Sequence, residues 1–477
     1  MLSGRTSHCA LLACLAALPS CRSEAPPNAG LALTDAAVVD LETGELRTGQ
    51  TVFLAGNRIV RILPTAEALL ADSTRVVDAA GGYVVPGLWD AHVHSAAFPQ
   101  RHFPLLVAHG VTSVRNMHTT VDTALELTNA IKRRVASGEL VGPRFLANGP
   151  IIDGYPASWP GAVAARTAAQ GRTLVDSLAA GGADFVKVYD KLTPDAYHGI
   201  TDQAAKVGIP VDGHVPMLVS PEDAAAAGQR TVEHTSGITL GCSAAADSLR
   251  TEFRGLLARA PELEFPEGAV AFFRLVRAAG ETRDRELCGR TARAYADAGV
   301  TVVPTLVALR PGLASSLLSD SARLALLPAA VREAWQSMAA GPDPFGDRPS
   351  GGEWTAPANT KLLHEAGVRV LAGTDLGNPF LVPGLSLHDE LRLLVEQADF
   401  SPLEALRAAT IDPAVTFGLA DSLGIVAEGR LADLVLLEAN PLENIAATTA
   451  IRAVVLNGRY LDRAALDELL RQAAAAE

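Results

Sequence analysis

Residues 88–94, LWDAHVH, end an apolar run in two histidines one residue apart. In an extended strand alternate side chains share a face, so His92 and His94 point the same way and Val93 turns from them. Two imidazoles side by side fill a core poorly and hold a metal ion well, the plainer reading being a pair of satisfied polar residues at a strand end. Residues of related chemistry recur downstream: Lys187 in DFVKVYD, His214 in DGHV, His234 in VEHT and Asp375 in AGTD. Each alone is ordinary, a lysine stem lying along a surface or a turn aspartate. Four imidazoles, one amine and one carboxylate around one mouth would be a donor set for a transition metal.

Bringing these residues together requires a scaffold that presents strand ends to one side. Between Gly87 and Gly418 short β-branched runs alternate with Ala-rich helical segments, the pattern of βα units on a parallel sheet. Strands are predicted at 88–92, 111–116, 144–148, 185–189, 210–214, 231–234, 301–305 and 369–374. Eight such strands closing on themselves make an α/β fold, the (β/α)8 TIM barrel, whose chemistry gathers at the C-terminal strand ends. Short β-rich pieces from Leu31 and again from Gly424 are expected to share one small β-sandwich built from both ends of the chain. The expected boundaries are a signal peptide at 1–21, a tether at 22–30, sandwich at 31–86, barrel at 87–423, and sandwich with a tail helix at 424–477. Two long connections, Cys242 to Gly299 and Val307 to Ala356, have the size of lids or substrate walls.

The 477 residues are 48% apolar and 19% charged, a globular profile, and the net charge of −13 argues against a nucleic-acid partner. A small molecule is the expected partner. The N-terminus carries one Arg, an apolar stretch from Cys9 to Leu18 and then small residues, a secretory signal too short to span a bilayer. Its end, Leu18-Pro19-Ser20-Cys21, resembles the bacterial lipobox, which implies lipidation of Cys21. The expectation is an exported lipoprotein facing the periplasm or cell exterior, held to the membrane by its lipid anchor alone. Cys242 and Cys288 would then lie where disulfides persist, either bridged or as two buried thiols.

PGLWDAHVH, HGVTSVRNM, FVKVYD, GHV, VEH, AGTD and the tail from GIVAEGRLADLVLL to VVLNGRY resemble the amidohydrolase superfamily, in the imidazolonepropionase-like branch that includes Xaa-Pro dipeptidases. The resemblance runs from about Ala36 to Tyr460 and implies the same barrel and sandwich. It implies that His92 and His94 hold a buried metal with Asp375, that His214 and His234 hold a second, and that Lys187 bridges both. The bridge would be a carbamate formed with carbon dioxide, because an ammonium has three donors and no acceptor. Two divalent ions, with zinc expected, would share a bridging hydroxide, lower the pKa of water and polarise the scissile carbonyl. Asp375 would take the proton and pass it to the departing amine. At VRNMH the chain departs from the family, with Asn116 where relatives often carry Asp.

On the substrate side, His118 follows Asn116, and Tyr155 and Trp159 sit in a Gly/Pro-rich mouth loop, as walls or as loop packing. Tyr189 shares the face of Lys187, and Arg310 is a candidate fork for a substrate carboxylate. His102, His109, His198, His364 and His388 read as structural. The expected function is a binuclear amidohydrolase cleaving an Xaa-Pro type dipeptide or an N-acyl amino acid. The alternatives are a single-metal cyclic amidohydrolase or deaminase, against which Lys187 argues, and an inactive lipid-anchored binding protein. A homo-oligomer is compatible with each.

Overall fold

The computed structural model describes residues 27–121, 123–259, 265–341 and 355–476. Cys21, the expected leader and most of the tether lie outside them. Among the described residues no helix is long and apolar enough to cross a membrane.

Both ends of the described chain contribute to one eight-stranded sheet. Leu31–Val39 is paired by Leu46–Ala55, Arg75–Asp78 and Tyr83–Pro86, and the last of these is paired by Leu434–Leu437 from the far end. Alternating Val, Leu and Ile supply the buried face, Val38, Val52, Leu54, Val84, Leu434 and Val455 forming one cluster. The hairpin Ile451–Leu461 turns at Asn457 and Gly458, both at positive φ, the conformation a two-residue turn demands. Its tip meets that of a second hairpin, Leu46–Ala55 with Arg58–Pro64, where Asn57 Nδ2 donates to Asn457 Oδ1 at 3.0 Å. The helix Arg463–Ala475 follows, capped by Asp462.

Every core strand predicted from the sequence is present and parallel to its neighbours. The first three, Leu88–Val93, Val111–Asn116 and Arg144–Ala147, form one sheet. The other five, Val186–Val188, Val211–Gly213, Gln229–Glu233, Thr301–Val303 and Arg369–Val370, run in order through a second. Two short strands, Ile151–Asp153 and Val163–Ala164, extend that second sheet and are absent from the sequence-based reading. Backbone bonds also cross between the sheets: Ala91 N donates to Ala372 O at 3.0 Å, and Asp184 N to Ala147 O at 2.9 Å.

The eighth core strand is shorter than predicted because residues beyond Val370 bond one at a time to different neighbours. Leu371 N donates to Val302 O, Ala372 N to Ala408 O, and Thr374 N to the side chain of Asp90. Alternation places Val186 and Val188 in the apolar layer with Val211, Val232 and Val302, and turns Lys187 the other way. The described residues of the first long connection include the helices Ala246–Arg259, Phe265–Glu281 and Arg285–Ala298. Cys242 and Cys288 are joined by a disulfide, which ties the start of that insertion to its last helix.

Candidate metal centre

The ends of the first, sixth and eighth core strands converge. One donor atom each from His92, His234 and Asp375 lies within 4.8 Å of the others. His92 Nε2 and His94 Nε2 are 3.3 and 3.0 Å from the same oxygen, Asp375 Oδ1. The His234 ring is 4.6 Å from that of His92 and 5.0 Å from that of His214. Lys187, only 2% exposed, lines the same cavity as His94, His234 and Asp375.

The backbone is bent to achieve this. His234, Thr305 and Asp375 have φ of 57°, 50° and 61°, a region sparsely used by residues other than glycine and found where a site over-determines the chain. Gly377, at φ 119°, lets the loop after Asp375 press on His94; a Cβ there would lie 2.6 Å from the His94 Cβ.

Hydrogen bonds at the far side of each ring fix which nitrogen faces inward. His92 Nδ1 lies 2.8 Å from Glu233 Oε2, His214 Nδ1 2.9 Å from Asp190 Oδ1, and His94 Nδ1 3.3 Å from the carbonyl of His118. Ionised carboxylates only accept, so Nδ1 of His92 and of His214 donates, and in a neutral ring Nε2 then carries a lone pair. The inward Nε2 atoms of His92 and His214 are buried without a hydrogen-bond partner among the described residues. The lone-pair Nε2 of His92 thus confronts a carboxylate oxygen with no hydrogen between them, an arrangement a cation would satisfy, while His94 Nε2 is hydrogen-bonded to the same oxygen. The residues present fit a metal.

The electrostatics agree. Burial pushes the His94 and His234 imidazoles below their ordinary pKa, favouring the neutral rings a metal requires. Burial also pushes the Asp375 carboxyl up, but His234 and His92 outweigh it and hold the group well below the usual range. The Lys187 ammonium is pushed down to about 8 by burial, against the pull of Glu233 and Asp375.

A cavity of about 200 Å³ opens over these groups, and Phe98, His118, Trp159, Tyr189 and Asn378 line it. His118 is buried in the cavity wall, and its Nε2 lies 3.0 Å from Pro160 O and so anchors the mouth loop. Trp159 Nε1 donates to Tyr189 Oη at 2.8 Å, and the Tyr189 ring packs on His214 with centroids 4.0 Å apart. Tyr155 is absent from the cavity lining: it is 52% exposed, with the guanidinium of Arg166 stacked 3.5 Å from its ring centroid. Arg310 is absent from it too. The chain after the seventh strand turns into the short helix Leu306–Leu309, which carries Arg310 into a different cavity.

Sequence reasoning missed the groups that hold the histidines. Arg115 is fully buried and donates to Ala91 O, Asp212, Thr231 and both oxygens of Glu233. Burial pushes the Glu233 carboxyl up, yet Arg115 and then His92 hold it well below the ordinary range. Asn116 needs no charge: its Oδ1 accepts from Ser95 N and Ala96 N, and its Nδ2 donates to His118 O and Thr119 Oγ1. An ionised aspartate could not donate the bond to His118 O. The motifs VEH, FVKVYD and HGVTSVRNM contain Glu233, Asp190 and Arg115, but the sequence reading assigned none of the three a role.

Parallel strands presenting histidines, a lysine and an aspartate at their C-terminal ends are the arrangement of a metal-dependent α/β protein. The chain belongs to the amidohydrolase family, whose model matches residues 83–461. It is 25% identical to a solved structure provisionally assigned as a prolidase from Bifidobacterium longum, covering 93% of this chain and 99% of that one with a TM-score of 0.65. Against a bottromycin amidohydrolase the identity is 26%, the coverage 93% and 90%, and the TM-score 0.66. Against adenine deaminase 2 of Agrobacterium fabrum (strain C58 / ATCC 33970) the identity is 27% over 444 residues, 90% of this chain and 57% of that protein. The chain thus spans little more than half the length of that curated relative.

Proposed function

We propose that the protein is an exported amidohydrolase that holds two divalent metal ions and cleaves the amide bond of an Xaa-Pro type dipeptide or an N-acyl amino acid. The observation that carries this reading is the convergence of the inward Nε2 atoms of His92 and His94 on Asp375 Oδ1 beside His234 and Lys187. In the proposal the core strands close into a (β/α)8 barrel, the terminal sheet serves as the accessory sandwich, and the domain boundaries are those given above. His92, His94 and Asp375 would hold one ion, His214 and His234 the other, and Lys187, as a carbamate, would serve as a ligand to both.

The ions, when bound, would acidify water and polarise the scissile carbonyl. The remaining work falls to the chain. Glu233 and Asp190 orient His92 and His214 through their Nδ1 atoms. Asp375 accepts a proton at its carboxylate and delivers it to the departing amine, which is a poor leaving group until protonated. Tyr189, whose hydroxyl is positioned by Trp159, donates to the substrate, and Phe98 and Trp159 wall off water.

Export and lipid anchoring at Cys21 are part of the same proposal, supported by the Cys242–Cys288 disulfide, a bond that persists in oxidising compartments. Deamination is the second reading, favoured by the name of the adenine deaminase relative. Peptide-type cleavage is preferred because the alignment with the Bifidobacterium longum structure covers both chains almost completely. Assaying the zinc-loaded protein on Xaa-Pro dipeptides, N-acyl amino acids and adenine separates the two: release of an amino acid supports the proposal, and release of ammonia from adenine alone overturns it.

A further inference from the structure

We propose that a second cavity, between the segment after the seventh core strand and the helix Leu385–Ala398, is a binding site for a small oxyanion. It encloses about 120 Å³ and is lined by Arg310, Arg323 and Arg392, with Asp320 and Asp389 as its carboxylates. Each of two of these arginines has a carboxylate partner. Arg323 is spent, since it forks onto both oxygens of Asp389 and its Nε lies 3.3 Å from Asp320. Arg392 is held by Glu396 at 2.7 Å and lies 3.8 Å from Asp389.

Arg310 is the uncompensated member. Its Nη2 donates to Ser316 Oγ at 3.3 Å, and its Nε is buried with no acceptor among the described residues. A guanidinium presents a planar fork matched to two oxygens of one anion, and a buried N–H left unpaired is costly. An oxyanion in this cavity supplies Arg310 with the acceptor and the anionic partner that it lacks among the described residues. The chemistry is that of a carboxylate or a phosphate; the small volume limits it to the charged group itself.

The site is distinct from the metal centre yet mechanically adjacent to it. Asn378 lines the histidine cavity and Phe380, two residues on, lines this one, so the loop that follows Asp375 is the wall between them. The helix carrying Asp389 and Arg392 is already tied to the segment after the seventh strand, because Glu390 accepts from Leu306 N and Val307 N at 3.0 and 2.7 Å. An anion on Arg310 adds a second tie between the same two pieces.

The test is titration of the metal-loaded protein with inorganic phosphate by calorimetry, in the wild type, Arg310→Gln and Arg310→Lys. Saturable binding in the wild type, weakened tenfold or more in Arg310→Gln and only partly in Arg310→Lys, is the expected result. Phosphate held by the metals would survive Arg310→Gln, so binding that is unchanged in that variant overturns the proposal, as does the absence of saturable binding in the wild type. Competition by acetate supports a site open to carboxylates, and its failure supports one selective for phosphate.

Discussion

Glu233 Oε2 lies 2.8 Å from Nδ1 of His92, and both Glu233 oxygens accept from Arg115 Nη2, at 2.9 and 3.0 Å. A carboxylate on the sixth core strand thus sets the tautomer of a histidine on the first, and a buried arginine keeps that carboxylate ionised. Glu233→Gln keeps the size but turns an N–H towards Arg115 or His92. Metal affinity is expected to fall by about 10- to 100-fold, measured by competition with a chelator. Wild-type affinity would show that His92 is held without Glu233.

In the proposed mechanism Asp375 has two separable roles, holding a metal and moving a proton. Asp375→Asn retains a ligand oxygen, so metal content stays near that of the wild type while turnover drops on the order of a hundredfold or more. A variant with wild-type turnover would remove the proton shuttle from the mechanism.

Glu390 makes stability depend on pH. Burial pushes its carboxyl up to about 8, even though two backbone N–H groups bond to it. A folded pKa above the unfolded one means that the unfolded chain gives up this proton first. Its contribution to stability therefore falls as pH rises from about 4.5 to about 8, with nothing further lost above that range. Glu390→Gln cannot ionise, so its stability relative to the wild type should improve across that window. Urea unfolding at several pH values checks this, and parallel curves for the two proteins would show that Glu390 titrates normally.

The disulfide between Cys242 and Cys288 closes a loop spanning a sequence separation of 46. Cys242→Ser should lower stability by about 2–4 kcal/mol, and unreduced digests of the wild type should yield one linked peptide pair. Free thiols at both positions would remove the bridge and, with it, one support for export.

What the sequence made legible was periodic. Alternation and strand spacing located the core strands, and the candidate ligands His92, Lys187, His214, His234 and Asp375 lie in or just past their C-terminal parts because a parallel fold exposes those ends on one side. What it hid depended on long-range pairing. Arg115, Asp212, Glu233 and Asp190 look like ordinary charged residues until strands far apart in sequence bring them together. Arg310 and Tyr155 were misplaced for the complementary reason: a one-turn helix and an exposed loop direct them, and neither leaves a periodic signature.

Elemental analysis of the purified, zinc-loaded protein, beside turnover of Xaa-Pro dipeptides and N-acyl amino acids, tests the central claim most directly when Lys187→Ala is measured in parallel. About two metals per chain with amino acid release in the wild type are expected. Both should fall in Lys187→Ala, with activity partly restored by a short carboxylic acid that occupies the vacated bridge. A wild type holding one metal or none, or a Lys187→Ala variant that keeps two metals and normal turnover, would contradict the binuclear mechanism.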